Sequence, residues 1–215
     1  PGDVFADLTL TRRQTFVSEL TRIDMIWARF DADYAPQYAL RPLQPDAVTC
    51  GGYDLEWVSA NYRYYYENAH TLFFLDPGTE YAFTVTGGDG VPAYTGSILF
   101  PECAPVITSP APFDLVSLDG FEVTWSGYDG FPDCARQVSI AILDIMGDST
   151  GVYVTTENDG SYTFTAAQLS VIDPSMFDMQ IVLIVENVEN IDAPGYDPRS
   201  WIRARTLSAQ TVYRE

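Results

Sequence analysis

The stretch LDPGTEYAFTV, Leu75 to Val85, decides the fold. Pro77-Gly78 is a turn signal, because Pro fixes φ for the first corner and Gly accepts the conformation the second needs. After it, Tyr81, Phe83 and Val85 alternate with Ala82, Thr84 and Thr86. A period of two puts one set on a buried face and the other in water, which is a half-buried strand. The same period recurs outward in both directions. Val4, Ala6, Leu8 and Leu10 form one row; Ile23, Met25 and Trp27 another; Phe121, Val123 and Trp125 a third; Val138, Ile140 and Ile142 a fourth. Residues 179–185, MQIVLIV, are almost continuously apolar, as in a strand covered on both faces. Turn signals separate the runs, at 87–90, 129–130, 158–160 and 194–195. Only 165–171 reads as helical. Many short strands with regular turns predict an all-β protein built from sandwiches.

The 75–85 run resembles the E–F corner and F strand of fibronectin type III domains, with a leucine, a Pro-Gly-Thr turn and a tyrosine opening the strand. The resemblance covers residues 12–102. It implies that the Tyr81 hydroxyl bonds back to the backbone at the corner. It also implies that Trp27 is the core tryptophan of strand B and Tyr38 the tyrosine of strand C. Residues 11–20 and 44–70 are longer than the family pattern. The second half is similar to the broader immunoglobulin-like class. Trp125 follows a strand-B pattern, 165–171 stands as the E–F helical turn, 179–187 as strand F and 200–213 as strand G. The expected architecture is therefore two tandem β-sandwiches. Residues 1–11 are an N-terminal strand, 12–103 a fibronectin type III-like sandwich and 104–215 an immunoglobulin-like sandwich. The proline-rich segment ECAPVITSPAP (102–112) is the boundary between them.

Composition narrows the function. The 215 residues carry 30 acidic side chains against 11 basic ones, all Arg, for a net charge of -19. A hydrophobic content of 47% argues against disorder despite that charge. So acidic a surface repels phosphate, which argues against nucleic-acid binding. No run reaches the ~18 apolar residues of a membrane helix, so no membrane insertion is expected. The absence of Lys excludes Schiff-base catalysis and Lys–Asn crosslinks. There is no GxSxG, and His70 stands alone between Ala69 and Thr71. The chain reads as non-enzymatic, with no cofactor and no metal. Its Asp pairs, Asp31/Asp33, Asp129/Asp133 and Asp144/Asp148, read as solvated turn residues rather than Ca²⁺ ligands.

Cys50, Cys103 and Cys134 form no CxxC motif, which predicts one disulfide, Cys103 with Cys50 or with Cys134, and one spare thiol. The start at Pro1 without Met fits a processed, exported protein, extracellular or on the cell surface.

Two features suggest contact surfaces. Tyr62, Tyr64 and Tyr66 share one face if 62–66 is a strand, and such a row suits stacking on glycans, packing in a core or meeting another subunit. Charge is also uneven. Between 104 and 198 the one cation is Arg136, whereas 199–214 holds Arg199, Arg203, Arg205 and Arg214 with no acid. Trp201, Arg203, Arg205 and Leu207 fall on one face of the last strand. The plain reading is a strand edge guarded by charge; the sharper one is an Arg–aromatic surface for an acidic neighbour. The row Val4, Leu8 and Leu10 serves either its own domain or, as a donor strand, a neighbour's. These residues together predict a structural subunit of an extracellular self-assembling filament, pilus-like, whose partners are copies of itself through strand exchange or head-to-tail contacts. The alternative is a monomeric adhesion or carbohydrate-binding module that uses the tyrosine row.

Overall fold

The computed structural model describes residues 3–16, 20–32, 42–67, 74–126, 137–144, 151–173, 175 and 177–215. In chain order the strands are β1 Phe5–Phe16, β2 Leu20–Asp31, β3 Val48–Cys50, β4 Tyr53–Asp54, β5 Glu56–Val58, β6 Arg63–Glu67, β7 Glu80–Val85 and β8 Tyr94–Leu99. They continue with β9 Val106–Ser109, β10 Leu115–Val116, β11 Gly120–Ser126, β12 Gln137–Asp144, β13 Val152–Glu157 and β14 Ser161–Thr165. One helical turn, α1 Ala166–Leu169, precedes β15 Asp178–Asn190 and β16 Trp201–Arg214. The fold is all-β, as the alternating pattern predicts. α1 forms where 165–171 reads as helical. Thr165 caps it by accepting the Gln168 N–H, and the Gln168 side chain reaches back to the Thr165 backbone.

The chain divides into two compact units, but not at a single linker. Unit 1 comprises Pro1–Thr11, Ile23–Phe100 and Asn187–Arg205; unit 2 comprises Arg12–Arg22, Pro101–Glu186 and Thr206–Glu215. This replaces the sequential division at 103/104 expected from the sequence. The cause is strand length. β1 and β2 have 12 residues each, β15 has 13 and β16 has 14, about twice the usual strand. Each of the four gives residues to both units. An alternating pattern carries no mark of where one unit's share of a strand ends.

In unit 1 one sheet runs β16-β1-β2-β6-β5 and the other β4-β3-β7-β8. Ala6, Leu8 and Leu10 of β1, Ile26, Ala28 and Phe30 of β2, and Ile202 and Ala204 of β16 meet Val48, Cys50, Phe83, Val85 and Ile98 of the second sheet in one core. The corner bond expected at Tyr81 is present: its hydroxyl accepts the Asp76 N–H at 2.7 Å. Buried Asp24 secures the same corner, taking the Leu75 N–H at 2.8 Å. Trp27 is not a core residue. Asp24, Ile26, Ala28 and Phe30 are the inward set on β2, so Trp27 faces outward with Met25 and Arg29. Both sets on β2 contain large apolar side chains, so alternation alone does not choose between them.

In unit 2 one sheet runs β13-β12-β15-β16, with β10 added in parallel beside β16, and the other β14-β11-β9. Val138, Ile140 and Ile142, then Met179, Ile181, Leu183 and Val185, and Val212 pack against Val123, Trp125 and Phe164. Trp125 is buried, as its strand pattern predicts, and its indole N–H donates to Asn158 Oδ1 at 2.8 Å.

Candidate functional site: an arginine–aromatic sheet face

Several expected contact residues turn out to be core. Val4, Leu8 and Leu10 are 4%, 0% and 0% exposed, in the core of unit 1. β1 sits between β16 and β2 of its own chain. The first strand therefore completes its own unit, and the donor-strand role is withdrawn for these residues. Leu8 and Leu10 are buried because Ile26, Ala28 and Ala204 offer the apolar face that a neighbour would otherwise have supplied.

The tyrosine row is also dissolved. Tyr62 lies in the turn before β6 with a φ of 51°, so it does not share the strand's alternation. Tyr64 is 4% exposed, sits between Phe30 and Trp57, and donates its hydroxyl to the Pro45 carbonyl. Tyr66 packs on Tyr53 at 5.1 Å between centroids. No surface row of Tyr62, Tyr64 and Tyr66 is available to a sugar.

Cys50 is a free thiol, fully buried in unit 1, and burial pushes its pKa up. The Cys50–Cys103 pairing is therefore not made. Cys134, Tyr38, His70, Asp33, Asp129, Asp133 and Asp148 lie outside the described residues. Asp31 is not a solvated turn residue. It ends β2 at 1% exposure with its Oδ2 3.0 Å from Arg29 Nε. Burial raises its pKa and the Arg29 charge opposes that rise.

The last strand behaves differently. β16 is not an edge; it lies between β15 and β1. Trp201, Arg203 and Arg205 are half-buried on the face turned away from the core, whereas Ile202 and Ala204 face inward. Their neighbours on β1 are short or flat: Phe5, Asp7, Thr9 and Thr11, all nearly inaccessible. The Phe5 ring meets Trp201 edge-on at 5.3 Å, with the Arg29 guanidinium 5.6 Å from its centroid. Arg203 lies 4.9 Å over Trp201. On the far side of β2, Arg63 lies 5.5 Å over Trp27. Asp7 Oδ1 accepts both the Trp201 indole N–H at 2.7 Å and the Thr9 hydroxyl at 2.8 Å. Arg205 Nε donates to Thr11 Oγ1 at 3.1 Å.

Four arginines of unit 1, Arg29, Arg63, Arg203 and Arg205, thus share one sheet face with Trp27, Phe5 and Trp201. Arginine suits this arrangement. Its plane stacks on a ring while its edge donates hydrogen bonds, as Arg205 does to Thr11, and it remains charged at every ordinary pH. The packing against rings and hydroxyls fixes the side chains beforehand, which reduces the ordering cost of a contact. The sequence identified Trp201, Arg203 and Arg205 from their spacing. It missed Arg29, Arg63, Trp27 and Phe5, which no local signal joins to them; strand order alone brings them together.

No family model matches the sequence, and no curated protein is similar to it. Among solved structures, a tetra-tandem repeat from the extending region of a large adhesion protein aligns with 97% of this chain and 49% of its own, at 13% identity and a TM-score of 0.28. A structure of a 1.5-MDa bacterial ice-binding adhesin, described in terms of host cell surface retention, aligns with 97% of this chain and 66% of its own, at 15% identity and a TM-score of 0.22. The chain thus spans about half to two-thirds of the lengths it aligns with, and neither similarity reaches the level of a shared fold.

Proposed function

We propose that the chain is a non-enzymatic structural protein of the cell exterior that assembles with copies of itself through the arginine–aromatic face of unit 1. The observation that carries this reading is the gathering of Arg29, Arg63, Arg203 and Arg205 on one face of a chain with a net charge of -19. A cationic, pre-packed patch on an acidic body fits an acidic surface, and the nearest abundant acidic surface is another copy. Contact between unlike faces is head-to-tail, and a head-to-tail contact that does not close builds a filament. Strand exchange has no part in this assembly, because β1 is already used at home. The exported character rests on the cysteine usage. We propose further that Cys103 pairs with Cys134, because Cys50 is buried as a free thiol.

Negative-stain microscopy of the native material beside light scattering tests the reading. Long regular particles are expected, shortened by added salt. A monomer of 23.9 kDa at every concentration would refute it. Peptide mapping without reduction tests the disulfide: a Cys103–Cys134 linked pair is expected, with Cys50 recovered as a thiol.

A further inference from the structure

We infer that β13 is a docking edge at which two copies of this chain pair antiparallel about a two-fold axis, a contact separate from the arginine–aromatic face. β13 ends its sheet: β12 pairs with it on one side, and among the described residues no strand pairs with it on the other. An edge strand presents a row of backbone N–H and C=O groups that another strand satisfies in full. The other edges are short or already engaged. β4 and β10 have two residues each and β5 has three. At β8 the Asn187 side chain donates to the Leu99 carbonyl at 2.8 Å. At β9 the Ile107 N–H donates to Ser208 Oγ at 3.3 Å. At β14 the Thr165 N–H donates to Gln168 Oε1 at 3.0 Å. β13, by contrast, keeps an unbroken register with β12 over six pairs, without the shift that interrupts β9 and β11. Its sequence, VYVTTE, has no Pro and no Lys, the residues that commonly guard an edge.

Self-complementarity selects a second copy as the occupant. An axis at Val154 sets that residue against its own counterpart, Tyr153 opposite Thr155 and Val152 opposite Thr156. The register with β12 puts Tyr153 and Thr155 on the outward side, and Val152 and Val154 on the core side of the sheet. Tyr153 is 59% exposed in the single copy. The pairing lays its ring beside the partner's Thr155, an aromatic–β-branched pair of the kind that stabilises antiparallel sheets. On the other side, Val152 and Val154 of the two copies become neighbours. Charge agrees with this register. The chain has a net charge of -19, yet Val152–Thr156 carries none. The strand's one charged residue, Glu157, falls at the end of the ladder opposite Gly151. The two Glu157 side chains then stand about 20 Å apart at the ~3.4 Å rise of an antiparallel strand. That is twice the screening length of about 10 Å at 0.1 M salt. So short a ladder buries little area, which makes the contact weak and dependent on concentration.

Amide hydrogen exchange with a charge swap tests the pairing. In the unaltered protein the edge-facing amides of 152–156 are expected to exchange at least threefold more slowly in concentrated than in dilute solution. The double variants Tyr153→Lys/Thr155→Lys and Tyr153→Glu/Thr155→Glu are each expected to lose this protection, because like charges then stand opposite one another. Mixed in equal amounts they are expected to regain it, because unlike charges then do. Slow exchange at the buried residues Ile181 and Leu183 reports that each variant is folded. Three results would overturn the inference: exchange independent of concentration in the unaltered protein, folded variants that keep the protection, or a mixture of folded variants that does not regain it. Microscopy separates the pairing from the filament reading. Closed dimers that carry the protection keep the edge and remove the filament. Long particles whose 152–156 amides stay unprotected keep the filament and remove the edge.

Discussion

The outward faces of the two units are built on similar strands to opposite ends. In unit 1 the small and polar residues Asp7, Thr9 and Thr11 form a central row, Asp7 bonded to Trp201 and Thr11 to Arg205 on the flanking strand. In unit 2 the central residues are Ala141, Val182 and Ala209, flanked by Ile184 and Leu207. One face carries rings and guanidinium groups; the other gathers small apolar residues into a buried cluster. The inward faces, by contrast, are alike, with Leu8, Ile26 and Phe83 in one unit and Ile140, Ile181 and Val123 in the other. The lesson is that the inward sides of these strands are apolar in both units, whereas the outward sides differ in chemistry: rings and guanidinium groups in one, small apolar residues in the other.

The largest expected effect compares the two outward faces directly. Phe5→Ala removes a ring that is 1% exposed and supports both Trp201 and Arg29, so denaturant unfolding is expected to show a loss of about 3–5 kcal/mol. Tyr153→Ala, at 59% exposure on the face of unit 2, is expected to stay within about 0.5 kcal/mol of the unaltered protein. Equal losses would erase the distinction. Next, Leu8→Ala is expected to cost about 2–5 kcal/mol, because the first strand is core to its own chain. If Leu8→Ala leaves the monomer's stability unchanged but abolishes assembly, the first strand serves a neighbour after all.

The all-β class, the corner at Tyr81, the turn at α1 and the last strand were legible because each depends on neighbours in sequence. Pro77-Gly78 and Tyr81 lie within one corner, and Trp201, Arg203 and Arg205 within one strand. Two things were not legible. Alternation says that a strand has two faces, not which is inward, and on β2 Trp27 and Ile26 are both credible core residues. Alternation also says nothing of where a strand changes company, so 12- to 14-residue strands divided between units read as ordinary strands within one domain. The tyrosine row failed for a related reason: a turn at Tyr62 breaks the period that would have aligned it with Tyr64.

Smaller effects refine the picture. Tyr81→Phe deletes the acceptor of the Asp76 N–H and is expected to cost about 1 kcal/mol, measured as a shift in the urea midpoint. The smallest effect concerns acid. The hydrogen bond from the Arg199 side chain, opposed by slight burial and aided by the Arg199 backbone N–H and charge, lowers Asp197 to about 2. A carboxylate held below its unfolded pKa contributes stability that is present above that value, near 4, and lost as pH falls toward about 2. Because Asp197 and Arg199 are largely in water, the contribution is small. Carboxyl NMR is expected to show Asp197 titrating near 2, and higher in Arg199→Ala, still below the ordinary value because the backbone N–H bond remains. An unchanged titration would mean that the Arg199 side chain does not hold this loop.

Self-association is tested most directly by sedimentation velocity of the native protein over a range of concentration at low salt and at about 1 M salt, where the screening length falls to roughly 3 Å. The prediction is a set of species at multiples of 23.9 kDa that grows with concentration at low salt and retreats toward the monomer at high salt. A single 23.9 kDa species under both conditions would contradict it, and the arginine–aromatic face would then be a self-contained surface of a monomer.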